Sequence, residues 1–269
     1  MHTVQKLKRR KNMKKFVAFI LALVMMLSLA ACGSSQSAEK TWEDELGTAG
    51  LLRVGIATDY PPYESYDADG NVVGLDADIA QLIADKLGVK LELVPMSFDT
   101  IVSAVAAGTV DMGISCFSYN EERAKSVLFS NTYMTSAQAC FTSTKYGVDT
   151  MEDLKDGVVC AGNGTTGMDV AESLKDQYGF TTQAGEIAII TEAVRSGAVK
   201  GCITELCVAQ SVSDNNPGEF QIIADNLSEE QIKAVANLNS TKLIEEVNKI
   251  IDEFTASDDY SALVVKWFG

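Results

Sequence analysis

From Leu52 onward the chain switches repeatedly between two hydrophobic periods, and this alternation most restricts its fold. Leu52-Arg-Val-Gly-Ile56 alternates as a strand does, and Leu75, Ile79, Leu82, Ile83 and Leu87 recur at helical spacing before Gly88. Val89, Leu91 and Leu93 alternate again up to Pro95, and Ile101, Val102 and Val105 form the next stripe, closed by Gly108. Strand, helix, strand, helix, strand at this pitch predicts an α/β fold with a mainly parallel sheet. Asp67-Ala-Asp-Gly70 predicts a hairpin inserted after the first strand.

The alternation repeats from Ser136 to about Ile232. Strands are expected at Ala139–Thr142, Val158–Ala161, Gly201–Thr204 and Phe220–Ala224, with helical stripes such as Met168 to Tyr178 between them. The tail from Thr241 to Phe268 reads as helix. The pattern predicts one lobe inserted into another: residues 46–135 plus 236–269 form lobe one, and 136–235 form lobe two. The expected crossing strands are Ser136–Cys140 and Gln231–Leu238. Open α/β sheets bind ligands at the carboxyl ends of their strands, so two facing lobes predict one site in the cleft between them.

Residues 1–31 read as a secretory leader. Lys6, Lys8, Arg9, Arg10, Lys11, Lys14 and Lys15 precede a short apolar run, Phe16 to Leu29, and then Leu29-Ala-Ala-Cys32. That last group resembles a bacterial lipobox, which implies cleavage before Cys32 and lipid on its thiol. Met13-Lys-Lys-Phe is a second possible start. Residues 32–45 are small and polar and read as a tether.

The formal charge is −15, and removing a leader that carries seven Lys/Arg and no acids makes the mature chain more acidic still. Such a chain repels nucleic acid and anionic lipid surfaces. The only histidine is His2, inside the leader, so the mature chain lacks the commonest general base and metal ligand. Cys116, Cys140, Cys160, Cys202 and Cys207 are odd in number and contain no Cys-x-x-Cys, which argues against a disulfide framework and against zinc. Cys140, Cys160 and Cys202 fall in apolar strand runs and read as small buried hydrophobes. No cofactor or metal is expected.

The segment Asp111 to Arg123 carries the most chemistry. An apolar strand runs into Ser115 and Ser118, and Arg123 follows at a helix start. Exposed amides and hydroxyls can hold a carboxylate, and a planar guanidinium can grip it bidentately. Tyr60-Pro-Pro-Tyr63 presents rigid aromatics after the first strand: Tyr60 is a stacking candidate, Tyr63 a cover for the sheet end, and Phe98 a second wall. Gly162-Asn-Gly-Thr-Thr-Gly167 links a strand to a helix and offers amides and hydroxyls to an anion. Glu205 ends a strand, where it could pair with an ammonium group or simply start the next helix. Asp76 and Asp78 at a helix start read as cap and dipole partners rather than metal ligands.

In their order and spacing these motifs resemble the amino-acid-binding proteins of bacterial ABC importers, the extracellular solute-binding proteins of family 3. The resemblance spans nearly all of residues 51–269, down to Lys266-Trp-Phe-Gly269. It implies the two-lobed type II periplasmic-binding-protein-like fold, a monomer, a free amino acid as ligand and a membrane permease as partner. By position it makes Arg123 the α-carboxylate clamp, Ser115 and Ser118 contacts to the ligand backbone, and Thr166 the lobe-two donor. It places Glu205 where an aspartate usually meets the α-ammonium group, with Tyr60 and Phe98 as the two walls.

Ala57 stands where the resemblance has relatives for basic ligands and glutamine often carry aspartate, and with a hydroxyl-rich cleft this makes a neutral polar ligand the expectation. Cys116 replaces a usual glycine or serine. The expected role is capture and delivery outside the cell from a lipid anchor on Cys32, not catalysis. The rival from another class is an enzyme like the cyclohexadienyl dehydratases, with Glu205 as the acid. A sensor module is disfavoured because no signalling domain is legible up to Gly269.

Overall fold

The computed structural model describes residues 40–269. The leader, Met13, Cys32 and most of the tether lie outside the described residues. The last part of the expected tether is not free chain. Trp42–Glu45 makes a short 3-10 turn, and Glu45 accepts a hydrogen bond from the Leu243 amide at 2.8 Å. Leu243 lies in the first turn of a helix whose own N-cap, Ser240, makes no side-chain bond, so a distant carboxylate satisfies an amide there.

Two five-stranded sheets dominate. The first runs in the order β5 (Lys90–Pro95), β1 (Leu51–Ile56), β6 (Met112–Ser118), β13 (Glu230–Asn237), β7 (Val127–Ser136). β1 is parallel to β5 and β6, and β13 is antiparallel to both β6 and β7. The second runs β10 (Thr181–Gly185), β9 (Val158–Gly162), β11 (Gly201–Glu205), β8 (Gln138–Ser143), β12 (Phe220–Ala224). There β8 is the reversed strand. The expected hairpin insertion is a small sheet of β2 (Asp59–Tyr60), β3 (Glu64–Tyr66) and β4 (Val72–Val73).

The chain passes between the two large sheets at Ala137 and again at 225–229. β13 pairs along its length with β6 and β7, so the expected crossing strand Gln231–Leu238 belongs to the first sheet. Among the described residues seven α-helices flank the sheets: α1 (Leu75–Leu87), α2 (Phe98–Ala106), α3 (Thr166–Tyr178), α4 (Ile187–Ser196), α5 (Leu206–Asn215), α6 (Thr241–Thr255) and α7 (Asp258–Phe268). The tail is therefore two helices. Ser257 stops the first and caps the second by accepting from the Tyr260 amide.

The helical stripes face the sheets as their spacing demands. Ile79 and Ile83 of α1 bury against Leu52, Val54, Met112 and Ile114, while Ile101 and Val105 of α2 bury on the other face with Phe117 and Val235. α2 approaches the sheet closely: a Cβ on Gly113 would stand 2.7 Å from Ile101 Cγ2. Gly74, before α1, has φ 138°, and a Cβ there would collide with the Tyr63 carbonyl. Cys140, Cys160 and Cys202 are buried in strands as free thiols.

Candidate functional site

A cavity of about 460 Å³ lies where the carboxyl ends of the strands meet, lined from both sheets. Six of the seven residues expected at a site line it: Tyr60, Phe98, Ser115, Arg123, Thr166 and Glu205. The seventh, Ser118, is buried beside the cavity, and its hydroxyl donates to Glu205 Oε1 at 3.3 Å.

Arg123 begins a short 3-10 turn after β6. Its Nη1 donates to the Ser118 carbonyl at 2.9 Å, and its Nη2 donates to the Gly164 carbonyl, in the loop after β9, at 2.7 Å. The guanidinium lies over the Phe98 ring at 5.3 Å and the Phe117 ring at 5.7 Å, and these two rings stack at 4.8 Å. Phe98 is thus a wall and also a shelf that orients the cation. Burial pulls the Arg123 pKa down from its usual value, with Asp169 and Glu230 opposing. The isolated cation gains from an anion beside it.

Glu205 ends β11 across the cavity and is 2% exposed. Gln138 Nε2 donates to its Oε1 at 2.7 Å, while Oε2 has no protein partner. Burial is the main reason its pKa is pushed up from 4.5 to about 8; the nearby Ser136 hydroxyl opposes the shift, Glu230 adds to it, and the bonds from Ser118 and Gln138 oppose it. Gln138 is also buried and lines the cavity, with Oε1 unpaired. Gln138 Oε1, an amide oxygen wholly inside the protein, therefore awaits a donor, and Glu205 Oε2 becomes a second acceptor when the carboxyl ionises. The sequence reading missed Gln138; the one available signal was an amide opening an otherwise apolar strand.

Tyr60 does more than offer a ring. Its Oη lies 2.6 Å from Thr204 Oγ1 and accepts from the Glu205 amide at 3.1 Å, which ties β2 to the second sheet. Its ring faces Tyr63 at 6.3 Å. Further bonds run from the loop residue Asn163, through Nδ2, to Asp99 in the first turn of α2, and from Asn120 Nδ2 to Asp169 in the first turn of α3. Thr166 opens α3 behind the N-cap Thr165, whose hydroxyl accepts from the Met168 amide. Gln138 Nε2 also donates to Thr166 Oγ1 at 3.3 Å. A helix start at the cavity favours an anion there.

Ser115 is placed differently from its expected use. Its hydroxyl accepts from the Ala57 amide at 3.0 Å and donates to Glu64 Oε1 at 2.7 Å, so its proton is committed inside the protein. Glu64 and Asp76 are both buried and adjacent. Burial, then Asp76, hold Glu64 well above the usual carboxyl range, and burial raises Asp76 to about 6. Glu64 keeps the proton, because Asp76 has the better donors: Tyr133 Oη at 2.8 Å and the Cys116 amide. Cys116 reaches this bond at φ 47°, the left-handed region, where the register of β6 against β13 slips. Asp76 is therefore a tertiary node rather than a helix cap, and Asp78 likewise accepts from Lys266 and from Trp267 Nε1.

A cation and a buried acid thus stand at one cavity beside a helix start and aromatic walls. The arrangement can hold a small molecule that carries both charges.

The model of the bacterial extracellular solute-binding proteins, family 3, matches residues 52–269. The arginine-binding extracellular protein of Bacillus subtilis is 28% identical over 258 residues, covering 95% of this chain and 98% of that one. The cyclohexadienyl dehydratase of Pseudomonas aeruginosa is 32% identical over 129 residues, 48% of this chain and 47% of that one. The structure of an ancestral arginine-binding protein bound to arginine superposes with a TM-score of 0.77 at 31% identity, covering 82% of this chain and 99% of that one.

Proposed function

Since this chain belongs to the bacterial extracellular solute-binding proteins of family 3, we propose that it captures one free amino acid between its two sheets and delivers it to the permease of an ABC importer. The fold is that of the type II periplasmic binding proteins. One observation carries the reading: Arg123 and the unpaired oxygen of Glu205 line the same cavity from different sheets. Arg123 takes the α-carboxylate, assisted by the start of α3. Glu205 Oε2 and Gln138 Oε1 accept from the α-ammonium group, and Phe98 and Tyr60 flank it.

Residues 137 and 225–229 serve as the hinge. Bonds such as those of Tyr60 to Thr204 and of Arg123 to Gly164 exist only while the lobes are together, so a ligand that bridges them favours closure. The protein acts as a monomer held to the outer face of the membrane by lipid on Cys32.

Calorimetry against the common amino acids tests this. Binding of one of them is expected, and Arg123→Ala should weaken it by about 3–6 kcal/mol, because two charge-assisted bonds are lost and a carboxylate is left unpaired. Unchanged affinity in that variant defeats the assignment.

A buried carboxyl raised to about 8 is also what a proton donor requires, which favours the second reading, a dehydratase on the same fold. Turnover of prephenate or arogenate separates the two.

A further inference from the structure

The charges lining the cavity do not balance once an amino acid's head group is placed. Arg123 is the only cation among the lining residues, while Asp59, Glu64, Asp99, Glu186 and Glu205 are acids. A zwitterionic head uses Arg123 and Glu205. Asp99 is engaged by Asn163 at 2.7 Å, and Glu64 is buried with its Oε1 on Ser115 and a proton held against Asp76. Asp59 and Glu186 remain.

These two come from different sheets' surroundings. Asp59 begins β2, in the hairpin after β1, and Glu186 is the N-cap of α4, which packs against β2. Both keep contact with solvent at the mouth of the cavity. They feel one another: burial raises the Asp59 carboxyl above its ordinary value, and the Glu186 charge adds to that rise. Neither has a side-chain cation opposite it among the ion pairs of the described residues.

Two acids alone would be an ordinary solvated rim. Here they border a cavity that independently points to a ligand, since Gln138 is buried, lines it and has its Oε1 without a partner. We infer that the ligand is an amino acid with a cationic side chain, a guanidinium or ammonium group seated between Asp59 and Glu186. This replaces the expectation of a neutral polar ligand. That expectation rested on Ala57, but the carboxylates reach the side-chain end from β2 and α4 instead. The inference rests on the head-group reading above and adds the side-chain class to it.

The test is calorimetric titration of the full-length mature protein with L-arginine, L-lysine, L-citrulline and L-glutamine. Citrulline has the length of arginine and replaces the guanidinium with a neutral urea. Arginine or lysine is expected to bind at least about tenfold more tightly than citrulline and glutamine, a preference that shrinks with added salt because the acids are at the rim. Asp59→Asn and Glu186→Gln should each lower the arginine affinity about fivefold or more while moving the citrulline affinity less than about twofold. Thermal melts check that both variants fold.

Citrulline or glutamine binding as tightly as arginine in the unmodified protein overturns the inference and leaves amino-acid capture standing. Failure of all four ligands, together with every other common amino acid, defeats the head-group reading itself. Equal loss of arginine and citrulline in the variants also overturns the inference, because it assigns the acids a structural role.

Discussion

Ligand binding should release a proton from Glu205, and the size of the effect follows from its burial. With its pKa pushed up to about 8, Glu205 is mostly neutral at pH 7 in the empty cleft. A ligand ammonium beside Oε2 requires the carboxylate. The free energy of ionising it is about 2.7 kcal/mol at pH 6, about 1.4 at pH 7 and about 0.4 at pH 8. Affinity should therefore rise roughly fiftyfold from about pH 6 to about pH 8 and then level off. At pH 7 about 0.9 proton should leave per ligand bound. Tyr60 and Cys116 are shifted upward by burial and Arg123 stays charged, so these three stay out of the window; Asp76 and Glu64 are raised towards it, and Glu205→Gln separates their contribution. Isothermal titration in two buffers of different ionisation enthalpy measures the proton count directly. Glu205→Gln should bind weakly and lose the slope. Affinity that is flat from pH 6 to 8, with no proton release, refutes the reasoning.

Three further outcomes follow from the same geometry. Asp76 is raised from 3.8 to about 6 in the folded chain, so its contribution to stability is full below about pH 4 and is lost as the pH rises through about 6; urea unfolding of the ligand-free protein across that range reads it. Gly113→Ala should lower stability by about 1–3 kcal/mol, seen as a reduced Tm, since the added Cβ meets Ile101 and Val235 under 3.0 Å. Tyr60→Phe removes two bonds that join the lobes and should weaken ligand binding by about 1–3 kcal/mol with little change in Tm, as measured by calorimetry and a thermal melt.

Local order was readable because it depends on neighbours in the chain. Period-two runs became β1 and β5, short apolar runs became β9 and β12, and Gly88 closes α1 at φ 71° as a helix-stopping glycine should. The residues that line the cavity were readable where a motif carries its own chemistry: Arg123 after a strand of hydroxyls, or Glu205 at a strand end. The break at Ser257 was carried by Ser257-Asp-Asp, a capping residue followed by acids, a helix-start signal that the reading of one helical tail passed over.

The amino-acid sequence by itself determined the α/β alternation, the acidic character, the want of histidine after His2, and the residue types whose chemistry suits a zwitterion. Only the tertiary structure decided what those residues are free to do. It committed the Ser115 hydroxyl to Glu64, turned Asp76 from a cap into a buried node, left Gln138 Oε1 and Glu205 Oε2 unpaired, and set Asp59 near Glu186 across 127 positions of sequence. The reason is physical: secondary structure follows from short-range periodicity, whereas the protonation and availability of a polar group depend on burial and on partners that only the folded chain brings within a few ångströms.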